Sequence, residues 1–431
     1  MLYKYFCSFI LLFQVMVVAA QTPTAKKSLP LGEGNPLSVG MSPARLEKID
    51  AMLGASVSEG DIPGVVALIA KDGKIVFHKA YGIADAAKGE SMKKDHIFRI
   101  ASQSKAITST AVMMLWEEGK FRLDDPISKY IPEFNNLQVL QNFRYVDTTY
   151  TSRPANKEIT IRHLLTHTSG LGYGVIDGDE RMKMIYGKAG TTDLFTTEEV
   201  SIKDVVMKLA KLPLHHDPGE KYTYSVGLDV LGYLIEVVSG MPFDRFLKER
   251  LFDPLGMDDT WFYLPESKAN RLVAIHHRVD GAWKNYPDTF YEVDYPIKGA
   301  KRFFSGGAGL SSTAMDYATF LQMYLNGGEL NGVRILSRTT IAAIMADQTG
   351  PLYGGENQHY GLAFGVLTER GQGKGGDGSE GTFVWGGYFN TQYFADPKEN
   401  IVGIIMKQTQ GGTGDQTSWK FKQMVGAAVD N

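Results

Sequence analysis

Apolar residues recur along this chain with two periods, three to four residues in some segments and two in others. The changes of period mark its elements. Ser42-Pro43 opens a helix whose apolar face is Leu46, Ile49, Met52 and Leu53. Two strand patterns follow, at 65–70 and 75–82, joined as a hairpin through Asp72-Gly73. A helical pattern then runs from Ser102 through Ile107, Ala111, Met114 and Leu115 to Gly119. From Leu123 the pattern changes to helices and long irregular loops. Thr160 caps a short helix, Ser201 with Asp204 forms a capping box, and a helix over 225–238 closes at Gly240. Residues 243–251 form a shorter helix, and the aromatic-rich stretch 260–301 has little periodicity. Thr313 with Asp316 caps a helix through Tyr317, Phe320, Leu321 and Tyr324, and 339–345 is helical too. Strand patterns return at 360–367, 382–385, 392–395 and 401–406, and a helix over 415–429 ends the chain.

Strands at both ends and helices between them predict one mostly antiparallel sheet, an α/β class of the α+β type, flanked by the terminal helices. The sheet domain is expected over 41–122 and 302–431, with a mainly helical insertion domain over 123–301. A cleft between the two is a natural place for a site.

Composition narrows the function. With 43% hydrophobic and 22% charged residues the chain is an ordinary folded protein. A net charge of −3 argues against a nucleic-acid partner, which demands a basic face. Residues 1–20 have a short positive start, an apolar run and the small residues Val18-Ala19-Ala20, the pattern of a secretory signal cleaved before Gln21. The chain is therefore expected to be exported, periplasmic or secreted, with no stable membrane insertion after cleavage. Residues 21–40, rich in Pro, Gly, Ser and Thr, read as a tether. The single cysteine, Cys7, lies in the signal segment and leaves the mature chain no disulfide and no thiol nucleophile.

Three stretches can carry chemistry. Ser102 and Lys105, three apart at a helix start, share one face. Unpaired N–H groups lie close by, and a basic group one turn on can take the hydroxyl proton. The plain alternative is a capping serine with an exposed lysine, and a second Ser-x-x-Lys, Ser91 and Lys94, reads as a solvated loop. Tyr224 stands where a turn after Pro218-Gly219 enters a helix, and a phenol there acts as a general base or proton relay when a nearby cation favours its anion; the plain alternative is a core tyrosine with a bonded hydroxyl. Trp385-Gly386-Gly387 ends a strand with two glycines, so a substrate or another backbone can come close. The N–H of the next residue, Tyr388, is then a candidate to help bind an oxyanion, and the plain alternative is a turn or bulge.

Ser102-Gln103-Ser104-Lys105, Tyr224-Ser225-Val226 and Trp385-Gly386-Gly387, in that order, resemble a family of serine hydrolases. It includes class C β-lactamases, penicillin-recognising DD-peptidases and family VIII carboxylesterases. His163-Leu164-Leu165-Thr166-His167-Thr168-Ser169-Gly170-Leu171 and Phe304-Ser305-Gly306-Gly307-Ala308-Gly309-Leu310 support the resemblance, which spans Pro43 to the C-terminus. It implies a β-lactamase/transpeptidase-like fold, an acyl-enzyme on Ser102, proton transfer by Lys105 and Tyr224, and an oxyanion hole from the N–H groups of Ser102 and Tyr388. Gln103, Val226, Trp385, Gly386 and Gly387 would contact substrate. No metal or cofactor is implied, and the substrate would be a small ester, amide or lactam.

Two departures bear on substrate. The β-lactamases usually carry Asn where this chain has Val226, and Lys where it has Trp385. An apolar wall suits an uncharged acyl group better than an anion. Both positions favour carboxylic ester hydrolysis, with β-lactamase or D-alanyl-D-alanine carboxypeptidase activity as the alternative and non-catalytic cell-wall peptide binding as a third reading. His163 and His167, four apart, lack a third ligand, and Gly371-Gln372-Gly373-Lys374-Gly375-Gly376 lacks the strand and helix of a nucleotide site and reads as a flexible loop. His215, His216 and Asp217 are expected at the cleft edge without a catalytic role. Tyr173 and the aromatics from Trp283 to Tyr291 either line the pocket or pack the core.

Overall fold

A computed structural model describes residues 31–430 other than Asp193, Phe290, Gly376, Gly412 and Thr413. The expected signal segment and half of the expected tether, residues 21–30, lie outside them. Both ends of the chain build one sheet. Its early strands are β1 (Gly32–Glu33), β2 (Gly64–Lys71), β3 (Lys74–Asp85) and β4 (Glu90–Ser91). Its late strands are β5 (Gln358–Tyr360), β6 (Gly365–Leu367), β7 (Phe383–Gly387), β8 (Thr391–Asp396) and β9 (Ile401–Met406). The order is β1-β3-β2-β9-β8-β7-β6-β5, with β4 beside β3, and every pairing but β1–β3 is antiparallel. β2 and β9 are central, buried on both faces, and read as continuous apolar runs rather than alternating ones. Helices α1 (Pro43–Ser58) and α5 (Thr417–Ala427) cover one face, closing a core around Ile49, Leu53, Val65, Phe421 and Val425. Helices α2 (Ser104–Glu117) and α4 (Ala314–Leu325) cover the other.

The segment between the two ends carries α3 (Gly227–Ser239) and several shorter helices. It also holds two β-hairpins that its sequence pattern does not announce, Gln138–Arg144 with Thr149–Pro154 and His276–Val279 with Ala282–Asn285. One hydrophobic core runs from the sheet residues Val66 and Leu68 into Leu164, Leu231 and Phe246 of that segment. The cleft wall is thereby tied rigidly to the sheet.

Three expectations are corrected. The tether does not extend to residue 40: Gly32 and Glu33 pair with Lys74 and Ile75, and Pro36–Val39 forms a 3-10 turn capped by Asn35. Residues 360–367 are not one strand. β5 and β6 fold back on each other around Gly361, whose N–H donates to Phe364 O (2.9 Å). A side chain at Gly361 would collide with Ile344 O. The glycine-rich run is not all loop, because Thr368 caps a short helix, Glu369–Gly373. Among the described residues no helix is long and apolar enough to cross a membrane.

Candidate active site

Ser102 lies in a 3-10 turn, Ala101–Gln103, that leads straight into α2. Ala101 before it has φ +43°, a region L residues rarely occupy, in a buried setting that holds it there. The stretch from Phe304 to Leu310 lies along the start of α2. Ile100 N–H donates to Leu310 O (3.0 Å), Leu310 N–H to Ser104 Oγ (3.1 Å) and Thr108 Oγ1 to Gly306 O (2.7 Å).

Lys105 is 1% exposed. Its Nζ donates to Ser102 Oγ (3.2 Å), Tyr173 Oη (3.1 Å) and Gly307 O (2.7 Å). Three acceptors around one nitrogen match an ammonium, which has three N–H bonds and no lone pair. Burial pulls the lysine pKa down, but the charges of Tyr173 and Tyr224 outweigh it and hold Lys105 above its ordinary value. Nζ also lies over the Tyr224 ring, 4.6 Å from its centre.

Two loops are zipped together to place the phenols. Thr223 N–H donates to His167 O (2.7 Å), Ser225 N–H to His167 Nδ1 (3.3 Å) and Val226 N–H to Gly172 O (3.2 Å). His167 therefore grips the backbone on both sides of Tyr224, and its ring packs 4.6 Å from the Tyr224 ring. Burial and the nearby Lys105 charge push its pKa far down, so it stays neutral. Tyr173 stacks on Tyr224 at 5.4 Å and 14°. Its own N–H donates to Asp177 Oδ2 (2.7 Å), which His215 Nε2 also meets at 3.0 Å. Tyr173, left between pocket and core by the sequence, thus touches the lysine directly. Its position inside Gly172-Tyr173-Gly174, just after the His167 loop, was the available signal.

The histidine pair is not a metal pair. His163 completes the capping box of Thr160, with burial lowering its pKa to about 4, while His167 clamps Tyr224. Among the described residues no cluster of His, Cys, Asp or Glu could hold a metal ion. His215 holds the Tyr173 loop, His216 Nε2 meets Thr223 Oγ1 at 2.9 Å, and Asp217 pairs with Arg153. These three brace the loops and do not line the cavity.

Beside Ser102 opens a cavity of about 150 Å³. Ser102, Tyr224 and Tyr388 stand on its wall, and Phe195, Leu209 and Val226 make it apolar. The aromatics Tyr291 and Phe389 back it through contacts with Phe195, whereas Trp283 leaves the region and bonds to Gly60 O (2.9 Å). The end of β7 presses on the nucleophile turn: a Cβ at Gly387 would collide with Ile100 O and Thr391 Oγ1. Glycine at this point is what brings Tyr388 beside Ser102. Gly386 and Trp385 border a neighbouring shallow cleft instead, with Trp385 5.9 Å from the Tyr224 ring. Gln103, by contrast, is 0% exposed and is not on the wall of this cavity.

The Beta-lactamase family model matches residues 49–426. Esterase EstB of Burkholderia gladioli is 31% identical, over 86% of this chain and 92% of EstB. A putative D-alanyl-D-alanine carboxypeptidase of Escherichia coli (strain K12) is 28% identical, over 77% of this chain and 75% of that protein. Among solved structures, EstCE1, a hydrolase with promiscuous acyltransferase activity, superimposes with a TM-score of 0.77 at 25% identity, over 89% of this chain and 98% of EstCE1.

Proposed function

From a chain that belongs to the Beta-lactamase family and is a serine hydrolase, we propose a carboxylesterase that works through an acyl-enzyme on Ser102. The observation that carries this is a hydroxyl held by a buried ammonium at the edge of an apolar cavity. Lys105, with all three N–H bonds spent, is the cation, and Tyr224, reacting as its phenolate, is the base that takes the Ser102 proton. The acyl carbonyl carbon bonds to Ser102 Oγ while the alcohol leaves with the proton from Tyr224. Water then enters along the same path and regenerates the serine. The N–H groups of Ser102 and Tyr388 carry the oxyanion charge in both steps.

Val226, 6% exposed on the cavity wall, offers no hydrogen bond to an amide. Trp385 takes the sequence position where the β-lactamases usually carry a lysine for the lactam carboxylate. Both support esters over lactams and peptides, as does the similarity to EstB. An apolar cavity of this volume takes a roughly benzene-sized group, so the acyl chain enters it. Turnover of p-nitrophenyl esters from acetate to laurate, with benzoate, nitrocefin and a D-Ala-D-Ala peptide alongside, tests the reading. Butyrate, hexanoate and benzoate should lead, and Leu209→Phe should move the optimum to acetate by filling the cavity. Fast nitrocefin turnover with negligible ester cleavage would sink it.

A further inference from the structure

One buried charge at this cavity has no part in the chemistry above. Asp229 lies in the first turn of α3, is 0% exposed and borders the cavity. Neither carboxylate oxygen has a partner within hydrogen-bond geometry, although the Ser305 hydroxyl and the Gly307 N–H face it. An ionised carboxylate in such a place is costly unless another charge compensates it. Lys105 has the complementary problem. Its three hydrogen bonds end on the Ser102 hydroxyl, the Tyr173 phenol oxygen and the Gly307 carbonyl, and no carboxylate of the described residues bonds to it. The two groups face each other across Gly307. A methyl group there would stand 2.8 Å from Asp229 Oδ2 and 3.6 Å from Lys105 Nζ, so one absent side chain separates them.

We propose that Asp229 is a positioning residue whose carboxylate is the counter-charge that keeps Lys105 a cation beneath Ser102 and Tyr224. This rests on the reading of Lys105 as the cation of the reaction. The first turn of a helix favours an anion. Burial holds the Asp229 pKa above its ordinary value, although the Ser305 hydroxyl and the Lys105 charge pull it down. The other titratable groups facing the pair are Tyr173, which feels both charges, Tyr224, and the neutral His167. When Ser102 gives its proton to the Tyr224 phenolate, the negative charge passes to the serine oxygen and on to the oxyanion, while Lys105 and Asp229 remain a matched cation and anion. The proton then moves without creating an uncompensated buried ion.

The test is Asp229→Asn, which keeps the shape and removes the charge. Every neighbour that binds a proton holds it less tightly once the negative charge is gone. The profile of kcat/KM against pH for p-nitrophenyl butyrate should therefore move as a whole to lower pH, by about one unit. kcat should fall about tenfold, with KM within about twofold. Ser305→Ala keeps the carboxyl group but removes the hydroxyl facing it, and should move the profile the same way by less. It decides the matter if the Asn chain does not fold. A profile that stays in place in the folded variants, whatever the loss of rate, makes Asp229 merely structural and overturns the proposal. Both variants keep Ser102, Lys105 and Tyr224. Esterase turnover that survives Ser102→Ala is the separate result that would remove the underlying reading.

Discussion

Ser102→Ala should lower ester turnover by on the order of 10⁴-fold or more and abolish labelling by a fluorophosphonate probe. The hydroxyl is the one group whose oxygen bonds to the acyl carbon, so nothing else in the site can take its place. The loss should fall on kcat, with KM little changed, because the cavity that takes the acyl group keeps Phe195, Leu209 and Val226. The fold should be indifferent. Ser102 receives one side-chain hydrogen bond, from Lys105, and that lysine retains Tyr173 and Gly307 as acceptors. A melting temperature within a few degrees of the parent separates loss of chemistry from loss of structure. Turnover within tenfold of the parent would place the nucleophile elsewhere.

Tyr224→Phe is the second large effect, roughly 10²–10⁴-fold in kcat, the range of a general base. The phenylalanine ring keeps the stacking on Tyr173, the packing on His167 and the face offered to Lys105. Only the hydroxyl is lost, so substrate binding should stay within about twofold. Steady-state kcat and KM for p-nitrophenyl butyrate read this directly. An unchanged kcat would take Tyr224 out of the proton path and leave Tyr173, the other phenol facing Lys105, as the group to replace next.

The parts of this site that could be read from the chain are those whose spacing is local. Ser102 and Lys105 are one helical turn apart, and Gly386-Gly387 ends a strand with a clear apolar pattern. The capping box of Ser201 and Asp204 formed as its spacing predicts. What escaped has non-local causes. The hairpin Gln138–Arg144 with Thr149–Pro154 is mostly solvent-facing, so no hydrophobic alternation marks it. The turn between β5 and β6, Gly361-Leu362-Ala363-Phe364, is buried and apolar after its glycine, so a lone glycine stands in for the polar cluster that usually divides two strands. Gln103 shares a motif with Ser102, but adjacent residues of a 3-10 turn lie on different faces, about 120° apart, and Gln103 is on the buried one. His167 acts through backbone bonds to a loop that is remote in sequence. Asp229 did leave a trace, a lone acid in the apolar run Val226-Gly227-Leu228-Asp229-Val230-Leu231. A charge buried on a helix face invites a search for its partner, and that partner, Lys105, belongs to another helix.

The account stands on a covalent bond between Ser102 and the acyl group of an ester. Its most direct test is the intact mass of the protein stopped in acid seconds after mixing with excess p-nitrophenyl butyrate, followed by peptide mapping. The account predicts one added butyryl group, on the peptide containing Ser102, absent from Ser102→Ala and cleared once substrate is exhausted. Active enzyme that never carries the added mass in single-turnover samples, or carries it on a different residue, would contradict it.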